Sequence, residues 1–449
     1  MTTHTLTRYN GTRVQWLVLL LLLVPCVIQA QSAFDVISRN RNLSATNYCI
    51  YPDSADMTQT PAPAGKKPFY ISHYGRHGSR YIARRKGYDI PLRILSKADS
   101  LGKLTETGRL MLQELREILN DSEGRWGDLT GRGKRQQRGI ARRMMERYPE
   151  VFQGTAHVDA KSTTVNRCIL SMGAACQQLT ALNPQLQISM KASQSDMWYM
   201  NYQDKYLHSL TRDSVAMATY KQFSHPRMRN PRLMHLIFND SLYLQQEVDN
   251  EWLSYYLMKT ALIQQNTRMG DKSQMIDYFT YEDIHLFWQR ENAYWYLSHG
   301  PSPLLGGKMP YSQRHLLRKM IEEADSCILH KRPGVQLRFG HETVVLPLTC
   351  LMGINGFDQQ VTDLEQLEGS GWWACLVVPM ASNIQWVFYR SGPADKDILV
   401  KVLLNEQEAR LPLPGDMAPY YRWSDFRSYY LKKIADYETQ QHTSASALP

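Results

Sequence analysis

Pro68-Phe-Tyr-Ile-Ser-His-Tyr-Gly-Arg-His-Gly-Ser-Arg-Tyr81 decides how the chain is read, because a short aromatic and β-branched run passes straight into a glycine-bounded basic loop. Residues 68–73 have the make-up of a strand, and Gly75 stops it. The carboxyl end of a strand is where open α/β sheets hold ligands. In the loop one imidazole, His77, stands between two guanidiniums, Arg76 and Arg80. Forked arginine donors suit phosphate oxygens, and Gly75 and Gly78 let the backbone approach an anion closely. The flanking cations disfavour the charged ring, which leaves His77 a neutral, nucleophilic nitrogen.

Outward from this loop the element types alternate. Apolar Leu110, Leu112, Leu115, Ile118 and Leu119 predict a helix over Glu106–Asn120, and a second runs over Arg132–Tyr148 until Pro149 ends it. Ser162, Thr163 and Thr164 offer N-cap oxygens to a helix reaching about Leu182. Arg167 then falls in its first turn, at a helix end that attracts anions. From Trp198 to Lys331 nearly everything reads helical, with breaks at Pro226, Pro231 and Pro301. Strand patterns return at Val335–Phe339, Thr343–Leu348, Cys375–Pro379, Ile384–Tyr389 and Ile398–Leu404, the last turning through Asn405-Glu-Gln into Ala409–Leu413. Strands and helices at both ends of a helical middle predict an α/β core with an inserted α-helical cap. The divisions expected are a signal peptide at 1–30, a core at 31–185 and 333–449, and a cap at 186–332.

The chain has 449 residues, 43% of them apolar and 21% charged, enough to bury a sizeable core. Its net charge of +10 favours anionic partners. Arg8 and Arg13 precede the aliphatic run Leu17–Val24, with Ala30 beyond, which is the pattern of a cleaved export signal. The expected product is therefore exported, in a periplasm, at a surface or outside the cell, with no stable membrane span. Six cysteines remain, an even number in a disulfide-permitting compartment, with their pairing open. There is no CxxC pair, no HExxH and no cluster at metal-ligand spacing, so neither metal nor cofactor is expected. The 26 Tyr and 10 Trp sit at helical or strand spacing and do not interleave with Lys and Arg. That argues against a nucleic-acid stacking platform.

Four segments, in order, carry a resemblance to a known family. Arg76-His-Gly-Ser-Arg80 resembles the Arg-His-Gly-x-Arg signature of the histidine acid phosphatases. Leu129-Thr-Gly-Arg-Gly-Lys-Arg-Gln136 is similar to that family's Leu-Thr-x-x-Gly-x-x-Gln helix, whose role is structural. Ser162–Arg167 is similar to the segment bearing a further phosphate-binding arginine. Gln336–Leu348, with His341-Glu-Thr343, looks like the strand-to-loop segment that holds the second histidine and the acid. The resemblance implies an α/β histidine phosphatase core with a cap. It further implies that His77 is the nucleophile, that Arg76, Arg80, Arg167 and His341 bind phosphate, and that Glu342 donates the proton.

At the last segment the chain departs from the family, in which acid phosphatases carry His-Asp and multiple inositol polyphosphate phosphatases carry His-Ala-Glu. Thr343 and the Leu-Pro-Leu that follows resemble the inositol polyphosphate branch. The implied activity is metal-free release of phosphate from inositol polyphosphates such as phytate, a small-molecule partner. Arg84, Arg85, Lys86 and Lys205 are candidates for a substrate rim, whereas Arg227, Arg229 and Arg232 read as a solvated face. The alternatives are a broad acid phosphatase acting on sugar or nucleotide monophosphates, and a polyanion binder without catalysis.

Overall fold

The computed structural model describes residues 32–52, 58–330, 334–415 and 417–446, so the expected signal peptide lies outside them. One mixed sheet organises the chain. Its strands are β1 (Lys67–Arg76), β2 (His157–Ser162), β3 (Gln187–Ala192), β4 (Gly334–Gly340), β5 (Asn383–Arg390), β6 (Leu399–Leu404), β7 (Gln407–Glu408) and β8 (Tyr420–Arg422). They lie in the order β3-β2-β4-β1-β5-β6-β7, with β8 also paired to β6. β1 to β4 run parallel, and β5 onward is antiparallel. Apart from Lys67, β1 is buried along its whole length, as a strand covered on both faces must be.

The register fixes where ligands can sit. Arg76 of β1 pairs with Gly340 of β4, and Phe339 of β4 pairs with Ser162 of β2. Three parallel strands therefore end in one line, and the loops that follow them share one edge of the sheet.

Helices cover both faces. Gly131–Arg147 and Asn166–Leu182 bury Met144, Met172 and Leu179 against Ile71, Val158 and Leu337 of the sheet. On the other face Arg314–Leu329, Glu342–Met352 and Trp423–Ser446 pack Leu317, Val345 and Phe426 around Tyr70 and Trp386. A further apolar cluster joins the helices Asn250–Ile263 and Tyr281–His299 of the insertion to Ala33–Arg39, Lys86–Ser100 and Glu106–Ser122. The insertion thus buries its apolar faces against chain that precedes it by more than about 100 residues.

Five sequence expectations need correction. Thr343–Leu348 is helical, inside Glu342–Met352, and Cys375–Pro379 holds a single turn, Ala374–Val377. Both are short runs buried nearly all round, for which strand and helix cannot be separated by periodicity. The hairpin after β6 turns at Asn405 and Glu406, both at positive φ, and its second arm is Gln407–Glu408, ahead of the expected 409–413. The helix Asn166–Leu182 has Val165 at its N-cap with no side-chain cap, because Ser162 and Thr163 turn elsewhere. The edge strand β3 also places 187–192 in the sheet, beyond the boundary expected at 185. No disulfide joins the six cysteines among the described residues.

Candidate active site

At the shared sheet edge the chain brings together Arg76, His77, Arg80, Arg167, His341 and Glu342. β1 delivers Arg76, whose amide donates to Ser382 O at 2.7 Å, and His77 follows with its amide on Gly340 O at 3.0 Å. Both side chains are fully buried. Arg76 Nη1 donates to Asn47 O at 2.5 Å and to Val378 O at 2.9 Å, which fixes the plane of the guanidinium. Arg80 Nη1 donates to Tyr81 O at 3.0 Å, and its guanidinium lies 5.4 Å from the centroid of the Tyr48 ring.

His77 has a defined tautomer. Its Nδ1 lies 2.9 Å from Gly78 O, and since a carbonyl only accepts, Nδ1 carries the hydrogen and Nε2 holds the lone pair. Nε2 is buried without a hydrogen-bond partner. Burial, then the charge of Arg76, pushes the imidazole well below its ordinary value, so the ring stays neutral. The ring of His341 stands 5.8 Å away, with Nε2 3.2 Å from Thr163 Oγ1, and burial pushes it down to about 4.

Glu342 opens the helix Glu342–Met352 and turns inward. Its Oε1 is 3.0 Å from Arg76 Nη2 and 3.9 Å from Arg80 Nη2, and it accepts from Asn47 Nδ2 at 3.2 Å. Its Oε2 is 3.7 Å from His77 Nε2. Burial pushes the carboxyl up, but the charges of Arg76 and Arg80 outweigh burial and hold it well below the usual carboxylate range. Arg167 is half-buried and has no ion pair among the described residues, and burial with the charge of Arg80 lowers it. His77, His341 and Glu342 place one ligand atom each within 4.8 Å, but three guanidiniums beside them make the place hostile to a cation and receptive to an anion.

The Leu-Thr-x-x-Gly-x-x-Gln segment has a physical task here. The N-terminus of the helix Gly131–Arg147 presses on the loop: a Cβ on Gly133 would lie 2.3 Å from Ser79 O, and one on Gly78 would lie 2.4 Å from Gly133 O. Gln136 Oε1 accepts from Ser79 N at 2.8 Å, and Gln137 Nε2 donates to Arg76 O at 2.8 Å. From the helix Asn166–Leu182, Ser171 Oγ accepts from Gly78 N at 3.1 Å. Two helices therefore hold the backbone of 76–79 still.

Of the rim candidates, Arg84, Arg85, Lys86 and Lys205 are all exposed, and Arg85 is engaged with Asp89 and Glu123 at 3.0 and 3.2 Å. Arg227, Arg229 and Arg232 pair with Glu365, Glu251 and Asp283. Sequence reasoning missed Asn47 and Tyr48, which reach the site from the N-terminal turns Arg41–Tyr48. Asn47 meets a partner 295 positions away, and no local pattern announces it. Next to Glu342 a cavity of about 530 Å³ opens, lined by Tyr202, Tyr294, His299, Gln313 and Thr343 among others, with no Lys or Arg in its wall.

A neutral buried imidazole with an unengaged ring nitrogen beside three guanidiniums, at the carboxyl edge of an α/β sheet, has the chemistry to receive a phosphoryl group. Residues 75–405 match the histidine phosphatase superfamily (branch 2), and the chain belongs to that family. Among individual proteins, it is 23% identical to multiple inositol polyphosphate phosphatase 1 of Gallus gallus over 337 residues, covering 67% of this chain and 68% of that one. The Homo sapiens protein of the same name is 21% identical over 345 residues, covering 70% and 68%. In fold it is similar to the multiple inositol polyphosphate phosphatase of Bifidobacterium longum, solved with inositol hexasulfate, with a TM-score of 0.73 at 17% identity, covering 87% of this chain and 97% of that one. The phytase of D. castellii gives a TM-score of 0.64 at 13% identity, covering 88% and 86%.

Proposed function

We propose that this protein removes phosphates from inositol polyphosphates, phytate among them, through a phosphohistidine intermediate. The observation that carries the reading is His77, neutral, its Nδ1 hydrogen tied to Gly78 O and its Nε2 lone pair unengaged beneath Arg76 and Arg80. The lone pair of Nε2 attacks phosphorus as the bond from phosphorus to the inositol oxygen breaks. Glu342 in its acid form gives its proton to that oxygen. Arg76, Arg80, Arg167 and His341 carry the charge on the equatorial oxygens. Water then attacks the phosphohistidine, loses its proton to the Glu342 carboxylate and returns His77 to its starting form, as general acid–base catalysis requires of one group in two steps.

The relatives named for inositol polyphosphates support the substrate class, as does a basic chain of +10. A second reading, a phosphatase of simpler monoesters, is favoured by the cavity wall beside Glu342, whose polar and aromatic residues include no cation to meet a second phosphate. Exposed Arg84, Arg85, Lys86 and Lys205 form the rim on the first reading. We also propose that the chain is exported by its first 30 residues and divides into a sheet domain, which β3 carries from the expected 31–185 on to 192 and which resumes at 333–449, with a helical cap between. No helix among the described residues is long and apolar enough to cross a membrane.

The test is phosphate release from phytate at about pH 5 with excess EDTA, for the native sequence and for His77→Ala. Release that resists EDTA and vanishes in the variant is the expected result. Release from sugar monophosphates but not phytate moves the substrate to the second reading. Silence on both classes refutes the catalytic reading and leaves a polyanion binder.

A further inference from the structure

The anion nearest the guanidinium pair belongs to the protein itself. Glu342 Oε1 holds Arg76 Nη2 at 3.0 Å, Arg80 Nη2 at 3.9 Å and Asn47 Nδ2 at 3.2 Å, while Oε2 lies 3.7 Å from the nucleophilic nitrogen. Arg76 and His77 are fully buried, and Glu342, 8% exposed, lies on them. A phosphorus atom in position for attack must come within roughly 3–3.5 Å of His77 Nε2. Its oxygens then claim the donors that the carboxylate now occupies, and both anions cannot use them together.

We propose that Glu342 is a tethered occupant of the phosphate site, displaced by the incoming phosphoryl group with uptake of one proton from solvent. This rests on the reading of the site as a phosphate site. Binding of substrate then converts the carboxylate into the acid that the leaving oxygen needs.

The surroundings fix the source of the proton. The groups facing Glu342 are Arg76, His77 and Arg80 of the β1 loop, His341 before it, Asn47 of the N-terminal turns, Arg167 and Cys168 of one helix, Tyr74 of β1, and His299 at the end of the helix Tyr281–His299. The imidazoles have no proton to lend near neutral pH, because burial holds His299 and His341 at about 4 and His77 well below its ordinary value. Burial pushes the Tyr74 hydroxyl far up, so it keeps its proton. The guanidiniums remain charged, which leaves water or buffer as the donor. An arriving dianion withdraws Arg76 from Glu342 and sets a like charge beside it, and both changes favour the protonated carboxyl.

The experiment is calorimetric titration with inositol hexasulfate, whose sulfates stay ionised, at about pH 6 in two buffers of different ionisation enthalpy. The native protein takes up about one proton per bound molecule, and Glu342→Gln takes up about one fewer while binding about tenfold more tightly. The native arm needs no variant to fold, and Glu342→Asp, with a shorter reach to Arg76, gives intermediate affinity if Gln misfolds. Binding by the native protein with no proton uptake overturns the displacement and leaves the phosphate site standing. Absence of binding to either protein overturns the phosphate-site reading and the displacement with it.

Discussion

Gly133→Ala puts the support of the catalytic loop to a quantitative test. The new Cβ would lie 2.3 Å from Ser79 O and 2.8 Å from Ser79 N, both backbone atoms, and 2.7 Å from Leu129 Cδ1. Restoring even 3.0 Å to the Ser79 oxygen requires a separation of about 0.7 Å between helix and loop. Ser79 cannot yield alone, because its carbonyl accepts from Thr130 N at 2.9 Å and its amide donates to Gln136 at 2.8 Å. The shift passes to His77 and Arg80 on either side. A misplacement of about 1 Å at reacting groups costs about 10²-fold in rate, and overpacking costs about 1–3 kcal/mol of stability. Gly131→Ala is the matched control, since its Cβ meets only Arg135 Nη1, at 3.7 Å, in the same helix. The assay is kcat/KM on phytate alongside thermal unfolding of both variants. We expect a loss of about 10²-fold for Gly133→Ala and near-native kinetics for Gly131→Ala. A Gly133→Ala protein that folds and keeps kcat/KM within about threefold refutes the claim that this helix positions the loop.

Two further outcomes follow from charge and burial. Arg167→Ala should lower kcat/KM on phytate by about 10²-fold or more, whereas Arg227→Ala, already committed to Glu365 at 2.6 Å, should change it little; equal losses in both would refute the assignment. His73 is buried and His299 half-buried at the cavity wall, and burial holds them at about 3 and about 4. The unfolded chain binds protons there below about pH 6.5 that the folded chain refuses, so stability falls as pH drops from about 7 to about 5, by on the order of 2 kcal/mol per ring. Chemical denaturation at both pH values checks this, and a midpoint that does not move refutes the buried neutral imidazoles.

Much of this was legible in the sequence because the informative residues are local. A strand, two glycines, two arginines and His77 occupy 68–81, and β1 runs three residues past the expected end at His73, through Gly75 to Arg76. The helices at 106–122 and 131–147 carry their own period and caps. What escaped was set by tertiary contact. Val344 to Leu348 is apolar on every side because it is buried on every side, and such a run has no period to betray a helix. Thr163 offered an N-cap oxygen, yet its hydroxyl serves His341. Asn47 and the packing of the insertion on residues 33–118 depend on chain hundreds of positions away.

The departure at 341–343 gains a physical meaning from where the side chains go. Glu342 turns toward Arg76, and Thr343 lines the neighbouring cavity. Among the described residues Glu342 is the one carboxylate within ion-pair distance of Arg76, His77 or Arg80. Proton donation, if it comes from a carboxyl group, therefore falls to a side chain that also occupies the anion site. A glutamate has one more methylene than the aspartate of the His-Asp pattern, which gives it reach onto the guanidiniums. An acid placed at 343 would instead face the cavity. The two geometries predict different coupling between binding and protonation: in the first the donor gains its proton only when phosphate displaces it, and in the second it can hold a proton before substrate arrives. The double variant Glu342→Gln with Thr343→Glu separates them, because it frees the anion site and moves the acid to the cavity side. Phosphate release recovered by that pair, relative to Glu342→Gln alone, would place the leaving oxygen on the cavity side of the site.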